Sequence, residues 1–212
     1  SVRGIVLDNG EETDCSLVVV AIGVSPRVEL ALGTEIKVNR GIVVDRHMAT
    51  SYPDVYSCGD AAEAYDFVYG MNRLTPIWPS ACIGGRIAGY NMAGAKAEYP
   101  GGTAMNSLNY FGLDIASAGM AIPAGGNGYE LLHKQKGSIY QKLVLKDDFI
   151  VGMVFVGEIE KAGIVYSLMK ERVKVSSFKK MLLSDNFGLV CLPKELLHKR
   201  LQKDAAVGGL KR

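Results

Sequence analysis

The sequence predicts an α/β segment followed by an α+β segment, on three observations. The apolar run LVVVAI at residues 17–22 has the continuous hydrophobicity of a strand buried on both faces of a parallel sheet. A glycine-bearing helical stretch at 80–93 follows it. Past the turn-rich AKAEYPGGT at 95–103 the pattern changes to strands first and helices afterwards, the mark of a second layer architecture.

Each element has a local cause. Residues 3–7 read as a short strand, and Asp8-Asn9-Gly10 as a hairpin turn, because Asn-Gly accepts positive φ. Gly23 ends the 17–22 strand, and Pro26 stops a helix from following at once. Short strands are expected at 41–44 and 55–57, the latter running into Cys58-Gly59-Asp60. Pro79 precedes the 80–93 helix and Ser80 is its candidate N-cap. Gly84, Gly85 and Gly89 each weaken that helix by about 1 kcal/mol against Ala, so either a ligand or a sheet must approach it closely. In the second part, 107–111 and 113–120 are strand candidates and 123–128 a flexible loop. Residues 138–146 and 149–156 form a hairpin about Asp147-Asp148, and 149–156 has no polar face, as in a buried or shared sheet. Helices are expected at 159–172 and 178–183. The tail from Pro193 carries Leu196, Leu197 and Leu201, with Glu195 and Lys199 at i,i+4, and reads as a solvated basic helix.

Composition excludes several function classes. The 212 residues hold 24 basic and 22 acidic side chains, a net charge of +2, which gives no footprint for nucleic acid. No apolar run reaches the roughly 18 residues of a membrane span, and SVRGIVLDNG is not a signal peptide. Cys15, Cys58, Cys82 and Cys191 form no CxxC and no metal-ligand spacing. They read as reduced, mostly buried thiols of a cytoplasmic protein, with a redox pair as the competing reading. His47, His133 and His198 stand apart from any ligand cluster and read as structural or exposed. No metal site is expected.

The informative stretch is TSYPDVYSCGDAAE at 50–63. A strand ending in Gly-Asp lets the backbone pass close to a ligand at Gly59 and offers the Asp60 carboxylate to a polyol hydroxyl at the carboxyl end of the strand. The alternative is an Asp that caps the next turn. Upstream lies VVVAIGVSPR at 18–27, and downstream PIWPSACIGGRIAGYNMAG at 76–94. In this order and spacing the three segments resemble the pyridine nucleotide-disulfide oxidoreductases, in the branch of NADH oxidases, rubredoxin reductases and nitrite reductase flavin subunits. TAMNSLNYFGLDIASAGM from 103, and SIYQKLVLKDDFIVGMVFVGEIEKAG from 138, resemble that branch's C-terminal interface domain.

The resemblance implies the C-terminal half of a larger FAD-dependent enzyme. Residues 1–25 would be the last strands of an NAD(P)-binding domain, and 26–102 the C-terminal part of a Rossmann-like FAD-binding domain. Residues 103–192 would be an α+β interface (dimerisation) domain, and 193–212 a helical basic tail. It implies that Gly59 and Asp60 meet the ribityl chain of FAD and that the helix start at Trp78, Pro79, Ser80, Ala81 and Cys82 faces the flavin's pyrimidine edge. Gly23 would close the NAD domain, and Phe111-Gly112 would fall near the flavin. Plain core packing is the competing account for Trp78 and for Phe111.

The implied activity is hydride transfer from NAD(P)H to FAD and onward to rubredoxin, nitrite, oxygen or a disulfide. Implied partners are a second copy through the C-terminal domain and a small electron carrier. The competing function is a non-catalytic dimerisation or docking module. No G-x-G-x-x-G dinucleotide turn occurs in the sequence, so the chain by itself is expected to bind FAD weakly or not at all and to be inactive. The absence of a His-Pro pair weighs against a glutathione- or lipoamide-type reductase.

Overall fold

A computed structural model describes residues 1–123, 125 and 128–197. The chain opens with the expected hairpin, β1 (Gly4–Val6) antiparallel to β2 (Glu12–Asp14), with Ile5 opposite Thr13. Gly10 at φ 83° makes its turn, and Asn9 Oδ1 accepts the Glu11 N–H at 3.0 Å.

Residues 17–22 overturn the expectation of a buried strand. They form no strand, and Val19 is 78% exposed and Ile22 91%. A strand exists only through its ladder, and no described residue pairs with this run on either side. Hydrophobicity sets the tendency to be buried, but it does not supply the surface to be buried against.

The first sheet has three strands, in the order β3 (Ile42–Val43), β4 (Ala62–Asp66), β5 (Met71–Leu74). β3 runs parallel to β4, and β5 is antiparallel to it. The expected strand at 55–57 is absent apart from a single bridge between Tyr56 and Ala49. Pro53 and Asp54, the latter at φ 60°, turn the chain there instead of extending it. Gly59-Asp60 therefore leads into a strand and does not end one. β4 reads AEAYD, poor in β-branched residues, so its pairing between two neighbours makes it a strand, not its propensity.

The helix is α1 (Trp78–Met92), two residues earlier than expected, with Ile77 and not Ser80 at the N-cap. Pro79 sits in the first turn, where no N–H is required of it. Gly84 is a packing glycine: a Cβ there would lie 3.2 Å from Met48 Cε and 3.4 Å from Cys58 Cβ. Gly89 meets nothing within 4 Å. A small core of Val44, Met48, Ala62, Ala88 and Tyr99 joins α1 to the sheet.

Residues 95–103 are irregular apart from a bridge between Gly102 and Asp66. Beyond them lies a five-stranded antiparallel sheet of β6 (Met105–Tyr110), β7 (Leu113–Gly119), β8 (Tyr129–Lys136), β9 (Ile139–Lys146) and β10 (Phe149–Val156). Its order is β6-β7-β10-β9-β8. The hairpin about Asp147 and Asp148 forms as expected, with both residues at positive φ (51° and 64°), the geometry of a two-residue turn. β10 lies at the centre and is buried on both faces, Phe155 to 0% exposure. α2 (Ala162–Lys170) covers the sheet with Val165, Leu168 and Met169 and is shorter than the stretch expected at 159–172.

The helix expected at 178–183 is a single 3-10 turn at Lys179–Met181. β8, a polar edge strand, was not foreseen, because YELLHKQK has no clean alternation. Leu196 and Leu197 pack on the core. His198, Lys199, Leu201 and the remaining tail lie outside the described residues, as do three positions of the 123–128 loop.

Candidate functional site

The site is built where β4 begins. Gly59 has φ +73°, a conformation that excludes most side chains, and it opens a 3-10 turn at Gly59–Ala61. A Cβ on Gly59 would stand 3.7 Å from Ala81 Cβ, so the turn abuts the first turn of α1. The two segments that the sequence set side by side are therefore neighbours in space. The start of α1 is bare: its N-cap has no side-chain hydrogen bond, and among the described residues the N–H groups of Trp78 and Ser80 meet no acceptor. Exposed donors at a helix N-terminus, on the positive end of its dipole, suit a ligand edge that gains negative charge.

Asp60 is exposed, and its carboxylate makes no hydrogen bond or ion pair with any described residue. It does not cap the turn, the alternative left open by the sequence. It lines a cleft of about 370 Å³ together with Ala61, the segment Val24-Ser25-Pro26-Arg27, Leu74 and Pro76. Gly23, at φ +92°, immediately precedes that segment.

The other expected site residues are distributed as follows. Pro79 and Cys82 are exposed on the first turns of α1, and Trp78 is 83% exposed, which rules out the plain-core reading of the Trp. The hydroxyl of Ser80 is bonded to the Tyr99 phenol, which burial pushes above its usual range. Phe111 and Gly112 form the tip of the β6–β7 turn, at φ 50° and 80°, in the other sheet. Phe111 is 93% exposed and meets Tyr110 edge to face at 4.7 Å, so core packing does not explain it either.

The thiols correct a further expectation. Cys58 and Cys82 are exposed and Cys15 and Cys191 half-buried, so none is fully buried. Cys58 immediately precedes the Gly59 turn, and Cys82 follows Ala81, the residue that the turn meets on α1. His47 is half-buried with Nδ1 2.9 Å from Ala97 O, and His133 is exposed on β8. No group of three His, Cys, Asp or Glu among the described residues is placed to hold a metal ion.

Sequence reasoning passed over Arg27 and Arg40, which share the cleft with Asp60. It also passed over Asp66, 1% exposed, whose Oδ1 accepts the N–H groups of Val68 (2.9 Å) and Tyr69 (3.3 Å), while Thr103 Oγ1 donates to Oδ2 at 3.2 Å. Burial raises the Asp66 carboxyl above its ordinary value despite these donors and Arg73 at 3.9 Å. An Asx turn over DFVYG was the available signal for Asp66. The two arginines carried none, since their meeting is long-range.

Comparison with known proteins finds that residues 1–75 match the family described as pyridine nucleotide-disulphide oxidoreductase. Residues 105–173 match the rubredoxin NAD+ reductase C-terminal domain.

The chain belongs to the pyridine nucleotide-disulphide oxidoreductases.

Among curated members of the family, it is 31% identical over 177 residues to the assimilatory nitrate reductase electron transfer subunit of Bacillus subtilis (strain 168), covering 82% of this chain and 22% of that one. It is 31% identical over 156 residues to the NADH-rubredoxin oxidoreductase of Clostridium acetobutylicum, covering 74% of this chain and 37% of that one. The solved NADH:rubredoxin oxidoreductase from that organism superimposes with TM-score 0.57 at 25% identity, over 81% of this chain and 41% of the other. The NAD-dependent persulfide reductase from A. fulgidus gives TM-score 0.71 at 25% identity, over 84% and 36% respectively. The fold is thus that of these oxidoreductases: part of a dinucleotide-binding domain followed by a C-terminal α+β domain. The chain spans 22% and 37% of the length of these two curated relatives, and 41% and 36% of the two solved structures. Among the described residues of this family member, no helix is long and apolar enough to cross a membrane.

Proposed function

We propose that this chain forms the C-terminal side of the flavin site in an FAD-dependent NAD(P)H oxidoreductase. The observation that carries the reading is the unpartnered Asp60 carboxylate beside the bare start of α1, with Gly59 leaving room between them. The donor set fits a flavin. Asp60 accepts a hydrogen bond from a ribityl hydroxyl. The N–H groups of Trp78 and Ser80 face the pyrimidine edge, where reduction places negative charge. Ala81 and Cys82 keep the helix start slim, Trp78 and Pro79 exclude water, and Gly23 and the Phe111-Gly112 tip border the same ligand. When bound, FAD would supply the redox chemistry for hydride transfer from NAD(P)H and onward electron transfer to an acceptor such as rubredoxin, nitrite, oxygen or a disulfide.

The division we assign is 1–25 to the NAD(P)-binding domain, 26–102 to the FAD-binding domain, 103–192 to the interface domain and 193–212 to a tail. The change from one sheet to the other across 95–103 supports it. Four free thiols favour a reducing, cytoplasmic setting.

The test is Asp60→Ala in the complete protein. A hydrogen bond to a charged acceptor contributes about 1.5–3 kcal/mol, so FAD affinity falls roughly 10- to 100-fold and flavin is lost on gel filtration. Unchanged flavin content sinks the assignment.

A second reading concerns the C-terminal sheet. Its edge strand β6 is exposed along most of its length and ends in Tyr110 (61% exposed) and Phe111. An aromatic edge of this kind favours a homodimer contact or the docking of a small electron carrier. Sedimentation across concentrations tests the dimer, and a monomer throughout counts against it.

A further inference from the structure

Two arginines share the cleft with Asp60. Neither Arg27 nor Arg40 forms an ion pair with a described carboxylate, although Asp60 lines the same cleft. The three side chains together carry a net charge of +1. Arg40 is held on a built turn: Asn39 N–H donates to Gly41 O at 2.9 Å, and the Glu63 carboxylate, 8% exposed, accepts from Asn39 Nδ2 (3.1 Å) and from Gly41 N–H (3.2 Å). Gly41 is pressed to the wall as well, since a Cβ there would lie 2.6 Å from Leu74 Cδ2 and 2.8 Å from Ala61 O. The backbone that presents Arg40 is therefore fixed to two residues that also line the cleft. Arg27 follows Pro26 in a second segment that lines the same cleft. Val24, Pro26, Leu74 and Pro76 supply apolar walls, and about 370 Å³ is within the range of small-ligand sites.

We infer that Arg27 and Arg40 anchor the diphosphate of a nucleotide ligand in this cleft, while Asp60 takes a sugar or polyol hydroxyl beside it. Guanidinium forks match phosphate oxygens in geometry, and two of them outweigh the single carboxylate, so the cleft accepts a ligand that carries both anionic and hydroxyl groups. A cleft lined by Asp60 alone repels such a ligand. The inference rests on the flavoprotein reading above. The diphosphate belongs to FAD or to NAD(P)H, and the two are separable.

The experiment uses the complete protein, stripped of flavin, as wild type, Arg27→Gln and Arg40→Gln. FAD and riboflavin are titrated by fluorescence quenching at low and high salt, and the KM for NADH is measured on the reconstituted enzyme. If the ligand is FAD, each variant weakens FAD by about tenfold at low salt, flattens its salt dependence and leaves riboflavin, which has no phosphate, unchanged. If the ligand is the nicotinamide nucleotide, FAD binding is unchanged and the KM for NADH rises by about tenfold. Variants that match wild type in FAD affinity, salt dependence and KM overturn the inference. So does equal weakening of riboflavin and FAD, which reports a distorted site. A wild-type protein that binds no flavin overturns the reading above as well, an outcome distinct from both.

Discussion

Asp66 offers a test of how the two sheets are joined. Its carboxylate lies at the end of β4 and is 1% exposed, and Thr103, the residue that leads into the second sheet, donates to it. Asp66→Ala removes one acceptor from the Thr103 hydroxyl, itself 1% exposed, and another from the N–H groups of Val68 and Tyr69. An orphaned buried donor costs about 1–3 kcal/mol, and the two main-chain groups are only part-buried, so the sum is roughly 3 kcal/mol. At an m-value of roughly 2–3 kcal/mol per M, the urea midpoint falls by about 1 M.

Asp66→Asn keeps two acceptor bonds and turns an amide donor toward Thr103, so it stays within about 1 kcal/mol of wild type at neutral pH. Burial raises the folded-state carboxyl above 3.8, so the native state holds this proton more tightly than the unfolded chain does. Asp66 therefore lowers stability as pH rises from about 3.8 through the raised folded value, and above that value the loss is complete. The stability of wild type minus that of Asp66→Asn declines over that window and is level beyond it. Urea unfolding followed by circular dichroism across pH reads this directly. An Asn variant as damaged as the Ala variant, or a difference independent of pH, refutes the reasoning.

Three further outcomes follow from packing. Gly152→Ala places a Cβ 2.0 Å from Met120 O, where only backbone can yield, and costs about 3 kcal/mol or more by urea unfolding. Gly89→Ala on α1 meets nothing within 4 Å and raises stability by about 0.5–1 kcal/mol in the same assay. Tyr99→Phe deletes the hydrogen bond to Ser80 from a side chain 3% exposed. It costs about 1 kcal/mol and speeds hydrogen exchange in the first turns of α1, and unaltered exchange there would show that the phenol does not hold the helix start.

What the amino-acid order determined by itself is short-range. Asn9-Gly10 and Asp147-Asp148 dictate their hairpins because the turn's φ demands lie within two residues. The order and spacing of VVVAIGVSPR, TSYPDVYSCGDAAE and PIWPSACIGGRIAGYNMAG were together enough to name the family. Tertiary structure decided whatever needed a partner distant in sequence. AEAYD became β4 because it has a neighbour on each side, and LVVVAI stayed exposed because no described residue offers it a ladder. The same holds for the direction of Asp60, which leads into a strand instead of ending one, and for its meeting with Arg27 and Arg40. Turn and helix preferences are local free energies, whereas ladder pairing and the walls of a cleft are contacts between segments, whose identity a linear pattern does not contain.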